Sequence, residues 1–296
     1  MFADACEKAM RFTRPVITSI RHYDGTVNCS CGTFIVLNDD GWVLTAGHMF
    51  DSFMAFQDHS KKIKDIEEQN SHKLTDRNRP KIKIEPKWIT NHSFWWGWDN
   101  VRLNNVFVDR KVDIAVGRLE PFNKAWITEF PVIKDPSKMR PGTSLCKLGF
   151  PFSTVTATFD ENAKSFRLAD GTLPLPLFPI EGMHTRNIAQ GKSADGTIDA
   201  LYVETSSPGI RGQSGGPIFD KDCNICGIQL RTNHLPLDFK PEAKVDGKKV
   251  VENQFINLGV GLHAKTIVEI LKRRNIEFRM EGESNRKTSS SVPLYS

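Results

Sequence analysis

Residues 211–220 read "RGQSGGPIFD". Gly212 stands two residues before Ser214, Gly215 and Gly216 follow it, and Pro217 closes the turn ahead of an apolar strand, Pro217 to Phe219. Glycine serves where the backbone needs a positive φ or where another group must come close. Both needs arise around a nucleophilic hydroxyl. When a serine attacks a carbonyl, negative charge develops on the carbonyl oxygen, and preorganised backbone N–H groups stabilise it effectively; Gly212 and Ser214 are placed to supply them. The same residues also spell a Gly-Gly-Pro turn entering a strand. Choosing between the readings requires a base and an orienting acid elsewhere in the chain.

Outward from this turn the chain reads as short strands. Runs at 14–22 ("RPVITSIRH"), 32–38 ("GTFIVLN"), 41–47 ("GWVLTAG"), 112–119 ("VDIAVGRL"), 143–150 ("TSLCKLGF"), 198–205 ("IDALYVET"), 225–230 ("ICGIQL") and 255–262 ("FINLGVGL") are rich in β-branched and aromatic residues and bounded by turn signals such as Asn38-Asp39-Asp40-Gly41. Many short strands predict an all-β barrel or sandwich. A helix is expected over 3–11, with Ala3, Ala5, Cys6 and Met10 as its buried side. A second, "HAKTIVEILKRRN", closes the fold with Ile267, Ile270 and Leu271 on one face and Lys272, Arg273 and Arg274 at the end that suits cations. Segments 51–105 and 159–197 show no clear period and read as long irregular loops. Within the first, "NHSFWWGWDN" reads as aromatic packing, and past Glu281 the sequence reads as a polar, flexible tail.

A base held at a strand end is offered by "WVLTAGHMF": Trp42, Val43 and Leu44 form the strand, and Gly47 turns it into His48. Of eight histidines, His48 alone follows such a strand in a Thr-Ala-Gly context. The acid is Asp113 in "KVDIAVGRL", a carboxyl within an apolar run, where it is costly without a partner. Taken singly, His48 also fits a structural histidine and Asp113 an edge residue facing solvent. The order His, Asp, Ser at widely separated positions of an all-β chain is that of the chymotrypsin template.

"TAGH", "DIAV" and "GQSGGP" together resemble the trypsin-like, chymotrypsin-fold serine peptidases, and "YVETSSPGIRGQSGGPIFD" is similar to the bacterial HtrA-like branch. The closing "GVGLHAKTIVEILKRR" is similar to the last strand and C-terminal helix of that family, so the resemblance runs from about residue 14 to 275. It implies two six-stranded antiparallel β-barrels, about 14–125 and 130–275, within a peptidase domain of 14–280. Residues 1–13 form a helical extension and 281–296 the tail. It further implies His48 as general base then acid, Asp113 as its orienting partner, Ser214 as nucleophile, and the N–H groups of Gly212 and Ser214 as the oxyanion hole.

The departures carry information too. Cys31 lacks the partner that secreted members place directly after the histidine, since Met49 stands there. Gln213 replaces the aspartate that receives a freed N-terminus in zymogen-activated members, so activation by N-terminal cleavage is not expected. HtrA proteins continue into a peptide-binding PDZ domain, which this chain is expected to lack. The resemblance lines the primary pocket with 206–211, with Gln229, Leu230, Arg231 and Thr232, and with Gly259 and Gly261. Its floor falls near Pro208, without the carboxylate that selects Lys or Arg. A neutral or apolar side chain is expected there, with Arg231 and His234 leaving an acidic one open.

The chain has 296 residues, 25% charged and 39% hydrophobic, an ordinary globular balance. Its formal net charge of +5 comes from 40 basic and 35 acidic residues interspersed, with no basic stripe, so no nucleic-acid partner is expected. The charged N-terminus lacks the apolar core of a signal peptide, and no eighteen-residue apolar run occurs, so a cytoplasmic location without membrane contact is expected. The six cysteines are then expected as thiols. The Cys29/Cys31 and Cys223/Cys226 pairs lie in no recognisable zinc ribbon, and neither metal nor organic cofactor is expected. The reading is an intracellular serine endopeptidase acting on polypeptides, restrained by a loop or a regulatory protein partner. The alternative is a latent peptidase-fold binding or scaffold protein.

Overall fold

The computed structural model describes residues 1–72, 81–246, 248–251 and 253–282. All but the first two residues of the expected tail lie outside them. The strands form two main sheets, one from each half of the chain. The first is built from β1 (Thr13–His22), β2 (Val27–Val36), β3 (Trp42–Ala46), β4 (Ile89–Trp95), β5 (Arg102–Asp109) and β6 (Ile114–Glu120). These six pair antiparallel in the order β4-β1-β2-β3-β6-β5. The sheet curls until its outer strands line one groove, with His92 to Trp95 on one side and Val106 and Val108 on the other. Val16, Ile17, Phe34, Ile35, Val43, Leu44, Ile114 and Val116 are buried on its two faces, each no more than 1% exposed. Burial of each such side chain is worth about 1.5–3 kcal/mol.

The second half contributes β7 (Val132–Ile133), β8 (Ser144–Gly149), β9 (Ala157–Asp160), β10 (Ser165–Leu168), β11 (Phe178–Lys192), β12 (Asp199–Thr205), β13 (Pro217–Phe219), β14 (Asn224–Pro236), β15 (Glu242–Val245), β16 (Lys248–Val251), β17 (Phe255–His263) and β18 (Arg279–Met280). Six of them run β13-β8-β11-β12-β17-β14, and β14 pairs back onto β13, which closes an antiparallel barrel. The all-β, two-barrel architecture is thus present, with one addition. The short strands β7 and β18 extend this sheet through parallel pairings, β7 with both β14 and β18.

Helix α1 (Ala3–Phe12) buries Ala5, Cys6, Ala9 and Phe12, so Ala9 and Phe12 take the place expected of Ala3 and Met10. It leads straight into β1 yet docks on the second sheet, where Phe2 meets Phe219 edge-on and Cys6 Sγ lies 3.8 Å from Cys146 Sγ. The closing helix is α3 (Ala264–Arg273), with Ile267, Ile270 and Leu271 buried as expected.

The two segments read as irregular loops are largely ordered elements. Residues 51–72 form α2 (Asp51–His72), which packs Phe53 and Phe56 against His92 and stacks His59 on Trp88. Phe94 and Trp96 join that aromatic cluster through Phe50, so the packing reading of this stretch holds. Residues 157–168 are the hairpin β9–β10, and 178–192 is one long strand held by pairing to β8 and β12.

Candidate active site

His48 lies on a single 3-10 turn, Gly47–Phe50, that directly continues β3. Gly47 is needed for close approach: a Cβ there would lie 3.0 Å from Ile114 N and 3.1 Å from Asp113 C. Asp113 stands in the turn ahead of β6, with φ +62°, and so is not the mid-strand residue expected. That turn is shaped by buried Asp109, whose Oδ1 accepts the N–H groups of Lys111 and Val112 and whose Oδ2 accepts that of Ala194.

Asp113 faces His48 with both oxygens. Oδ1 accepts the His48 backbone N–H at 2.7 Å, and Oδ2 accepts from Nδ1 at 2.9 Å. Because an ionised carboxylate only accepts, Nδ1 carries the proton and Nε2 is left with a lone pair. Burial pushes the Asp113 carboxyl up, but the hydrogen bonds and charge of His48, helped by Arg110, outweigh it and hold it below the usual carboxylate range. Arg110, which sequence reasoning passed over, donates from Nη1 to Asp113 Oδ1 at 2.9 Å and grips Asp51, the first residue of α2, at 2.8 Å.

Ser214 is carried by the loop ahead of β13 and is tied to the first sheet. Its carbonyl accepts the Thr33 N–H at 2.9 Å, and the Thr33 hydroxyl donates to Gly212 O at 2.7 Å. Gly215, at φ +82°, sits where a Cβ would come within 2.2 Å of Thr45 Oγ1 and 2.8 Å of Ala46 N, so the serine loop rests on the strand that ends at His48. Gly212, at φ +101°, leaves no room for a side chain beside Phe150 O. The N–H groups of Gly212 and Ser214 have no acceptor among the described residues, so both expected oxyanion donors are unspent. Gln213 is buried and neutral, bracing the loop through Ile210 N–H to its Oε1 at 3.0 Å and from its Nε2 to Phe178 O at 3.3 Å. Among the described residues no hydrogen bond joins Ser214 Oγ to His48 Nε2.

The residues expected to line the pocket sit on elements bound to this loop. Gln229 accepts the Gly215 N–H at 2.8 Å and donates its own N–H to Gly216 O. Thr232 Oγ1 donates to Gly209 O at 2.7 Å, joining β14 to the 206–211 segment, and Gly259 N–H donates to Ser207 O at 2.9 Å, joining β17 to it. Arg231 is exposed, its guanidinium stacked on Tyr202. Leu230 is buried in the core. The space a side chain at Gly261 would take is filled by Ile218, and that at Gly259 by the ammonium of Lys147, whose Nζ also donates to Pro208 O. Sequence reasoning did not single out Lys147, although a charge inside "SLCKLG" is the same signal that drew attention to Asp113.

Met49 Cε and Sδ lie against Gly32, next to Cys31. Cys29 and Cys31 stand on β2, whereas Cys223 and Cys226 stand around the start of β14. Among the described residues no group of three His, Cys, Asp or Glu could hold a metal ion.

Residues 32–228 match the family model of the trypsin-like peptidase domain. The fold is similar to the crystal structure of the Rv3671c protease from M. tuberculosis in its active form, with TM-score 0.50 and 13% identity over 93% of this chain and 86% of that one. It is also similar to the HtrA-type protease AlgWS227A with decapeptide, with TM-score 0.50 and 11% identity over 92% of this chain and 66% of that one. No curated protein sequence matches the chain. The matched family model spans most of the two barrels and includes all three residues of the His48, Asp113 and Ser214 constellation, so the chain belongs to the trypsin-like peptidase family of serine endopeptidases.

Proposed function

We propose that the protein hydrolyses peptide bonds through an acyl-enzyme on Ser214. The observation that carries this reading is the His48–Asp113 pair, which leaves Nε2 as an acceptor, together with two unspent N–H groups flanking Ser214. His48 Nε2 takes the Ser214 hydroxyl proton as Oγ bonds to the substrate carbonyl carbon. The carbonyl oxygen becomes an anion received by the Gly212 and Ser214 N–H groups. The imidazolium, stabilised by Asp113, then protonates the leaving amine as the C–N bond breaks. Water repeats the sequence on the ester: His48 removes its proton, hydroxide adds to the carbonyl, and Ser214 leaves with the proton returned. Gln213 in place of an aspartate supports a site that needs no freed N-terminus. The sequence supports a cytoplasmic enzyme, to be checked by cell fractionation.

The test is a fluorophosphonate probe read by intact mass on wild type and Ser214→Ala. A single adduct on wild type alone is expected, and its absence on folded wild type would refute an aligned serine. One observation favours a second reading, a latent site that a protein partner aligns: Ser214 Oγ is not hydrogen-bonded to His48. In unliganded sites such bonds are often long and tighten with substrate. Labelling that appears only with an added partner would select the latent form.

A further inference from the structure

Lys147 projects from the middle of β8 and is 1% exposed. Its Nζ donates to Ser207 O at 2.6 Å, Pro208 O at 2.7 Å and Thr205 Oγ1 at 3.1 Å. All three donors are used, yet no acceptor carries charge, and among the described residues no carboxylate pairs with it. A buried cation without a counter-charge is costly and needs a reason.

Its position supplies one. A substrate carbonyl held by the Gly212 and Ser214 N–H groups directs the side chain of its own residue against the elements bonded to that loop: 206–211, the β14 segment at Gln229 to Thr232, and β17 at Gly259. The Lys147 ammonium lies where the first and last of these meet, since Nζ binds Ser207 O and Pro208 O and stands 2.7 Å from where a Cβ of Gly259 would be. The segments 206–213, 227–234 and 256–263 contain no Asp or Glu, while Arg211 and Arg231 are exposed on them. The buried Ser207 Oγ, on the residue whose carbonyl binds Nζ, has no hydrogen-bond partner among the described residues.

Resting on the peptidase reading above, we propose that the site cleaves after acidic residues, Glu or Asp, with Lys147 as the specificity-determining residue beneath the pocket floor. A carboxylate arriving there supplies the missing counter-charge, whereas a Lys or Arg side chain meets like charge. Of the two preferences the sequence leaves open, neutral or apolar and acidic, this selects the acidic one.

Peptides identical except for Glu, Gln, Leu or Lys before the scissile bond test this directly. At pH 6–7 kcat/KM for Glu should exceed that for its isostere Gln by about tenfold or more, with Lys poorest. Lys147→Met should bring the Glu/Gln ratio to about one. A wild-type ratio near one, or a high ratio unchanged in Lys147→Met, would overturn the proposal. If that variant fails to fold, the wild-type ratio is followed from pH 6 to 9. Burial brings the Lys147 ammonium down to about 7, so the ratio should fall as pH rises, and a flat ratio overturns the assignment. Cys146, on its own strand and kept neutral by burial, is the titratable group acting on it; Thr205, Ser207, Pro208 and Gly259, packed against it, carry no charge. Fluorophosphonate labelling of wild type runs alongside. Without an adduct the hydrolytic reading falls and takes this one with it; with an adduct and no Glu preference, only the pocket assignment falls. If no peptide turns over, inactivation rates by peptidyl diphenyl phosphonates bearing Glu or Gln give the same ratio.

Discussion

Lys147→Met removes a charge from the interior at nearly constant volume, and the consequence for stability depends on pH in a calculable way. Burial holds the ammonium at about 7 in the fold, against an ordinary 10.5 in the unfolded chain. Below pH 7 both states bind the proton, and the cost of burying the charge is borne in full. Between pH 7 and 10.5 the unfolded chain keeps the proton that the fold has released. Stability therefore rises with pH across that window, by a little over 1 kcal/mol per unit. The methionine of the variant does not titrate, so the stability difference between wild type and variant should move in favour of wild type by about 2 to 3 kcal/mol from pH 7 to 9. The variant also leaves Pro208 O without its Lys147 donor, whereas Ser207 O keeps the Gly259 N–H and the Thr205 hydroxyl, which adds a pH-independent offset of roughly 1–3 kcal/mol. Only the slope therefore reports the ionisation. Urea unfolding of both proteins at pH 6, 7, 8 and 9, with m-values checked for constancy, measures it. A difference that stays constant over that range would refute the reasoning, because Lys147 would then keep its proton in the fold and its burial would not be costly.

Three further expectations follow from the site. Asp113→Asn keeps the shape of the residue but removes the carboxylate that fixes the Nδ1 proton, so kcat should fall by about 10⁴ with the labelled serine unchanged in position; a loss under tenfold would show that His48 is oriented by other groups. Arg110→Ala, which deletes a half-exposed contact to both Asp113 and Asp51, should lower kcat/KM about two- to fivefold and stability by less than about 1 kcal/mol, read by steady-state kinetics and melting. Gly215→Ala forces a Cβ to within 2.3 Å of Thr33 O at φ +82°, so it should destabilise by more than about 2 kcal/mol or abolish labelling outright, and a normally labelled, normally stable variant would contradict the packing of that loop.

What was legible in the sequence is what periodicity and glycine chemistry encode locally. The eight strand runs are apolar, β-branched segments punctuated by turns, and each falls on a strand. The serine turn was visible because Gly212 and Gly215 have left-handed backbones that few other residues adopt. Helix α2 was not visible, because Phe53 and Phe56 are followed by a charged stretch from Lys61 to Glu68 with only Ile63 and Ile66 between; its inner face is defined by the rings of His92 and Phe94 on β4, far along the chain. Strand β11 was not visible either, because few of its residues are buried and it exists through pairing on both edges. Arg110 sits in an ordinary charged turn, and nothing local distinguishes it until Asp51 arrives from α2.

The placement of Ser214 ties its chemistry to the contact between the sheets. The nucleophile and both oxyanion donors belong to the second half of the chain, and the base and its acid to the first. The hydrogen bonds between the halves at this point are few: Thr33 N–H to Ser214 O and the Thr33 hydroxyl to Gly212 O, with Thr33 O in turn held by Thr45 Oγ1. One residue, Thr33, thereby fixes the backbone on both sides of Gln213 through its N–H and its hydroxyl, and it does so from the strand whose neighbour β3 leads into His48. A shift between the sheets would break these bonds and misdirect the Gly212 and Ser214 N–H groups. Geometry at the oxyanion donors has to hold to a fraction of an ångström. Activity should therefore be lost before either barrel unfolds, and a partner that presses the two halves together would act on catalysis through Thr33.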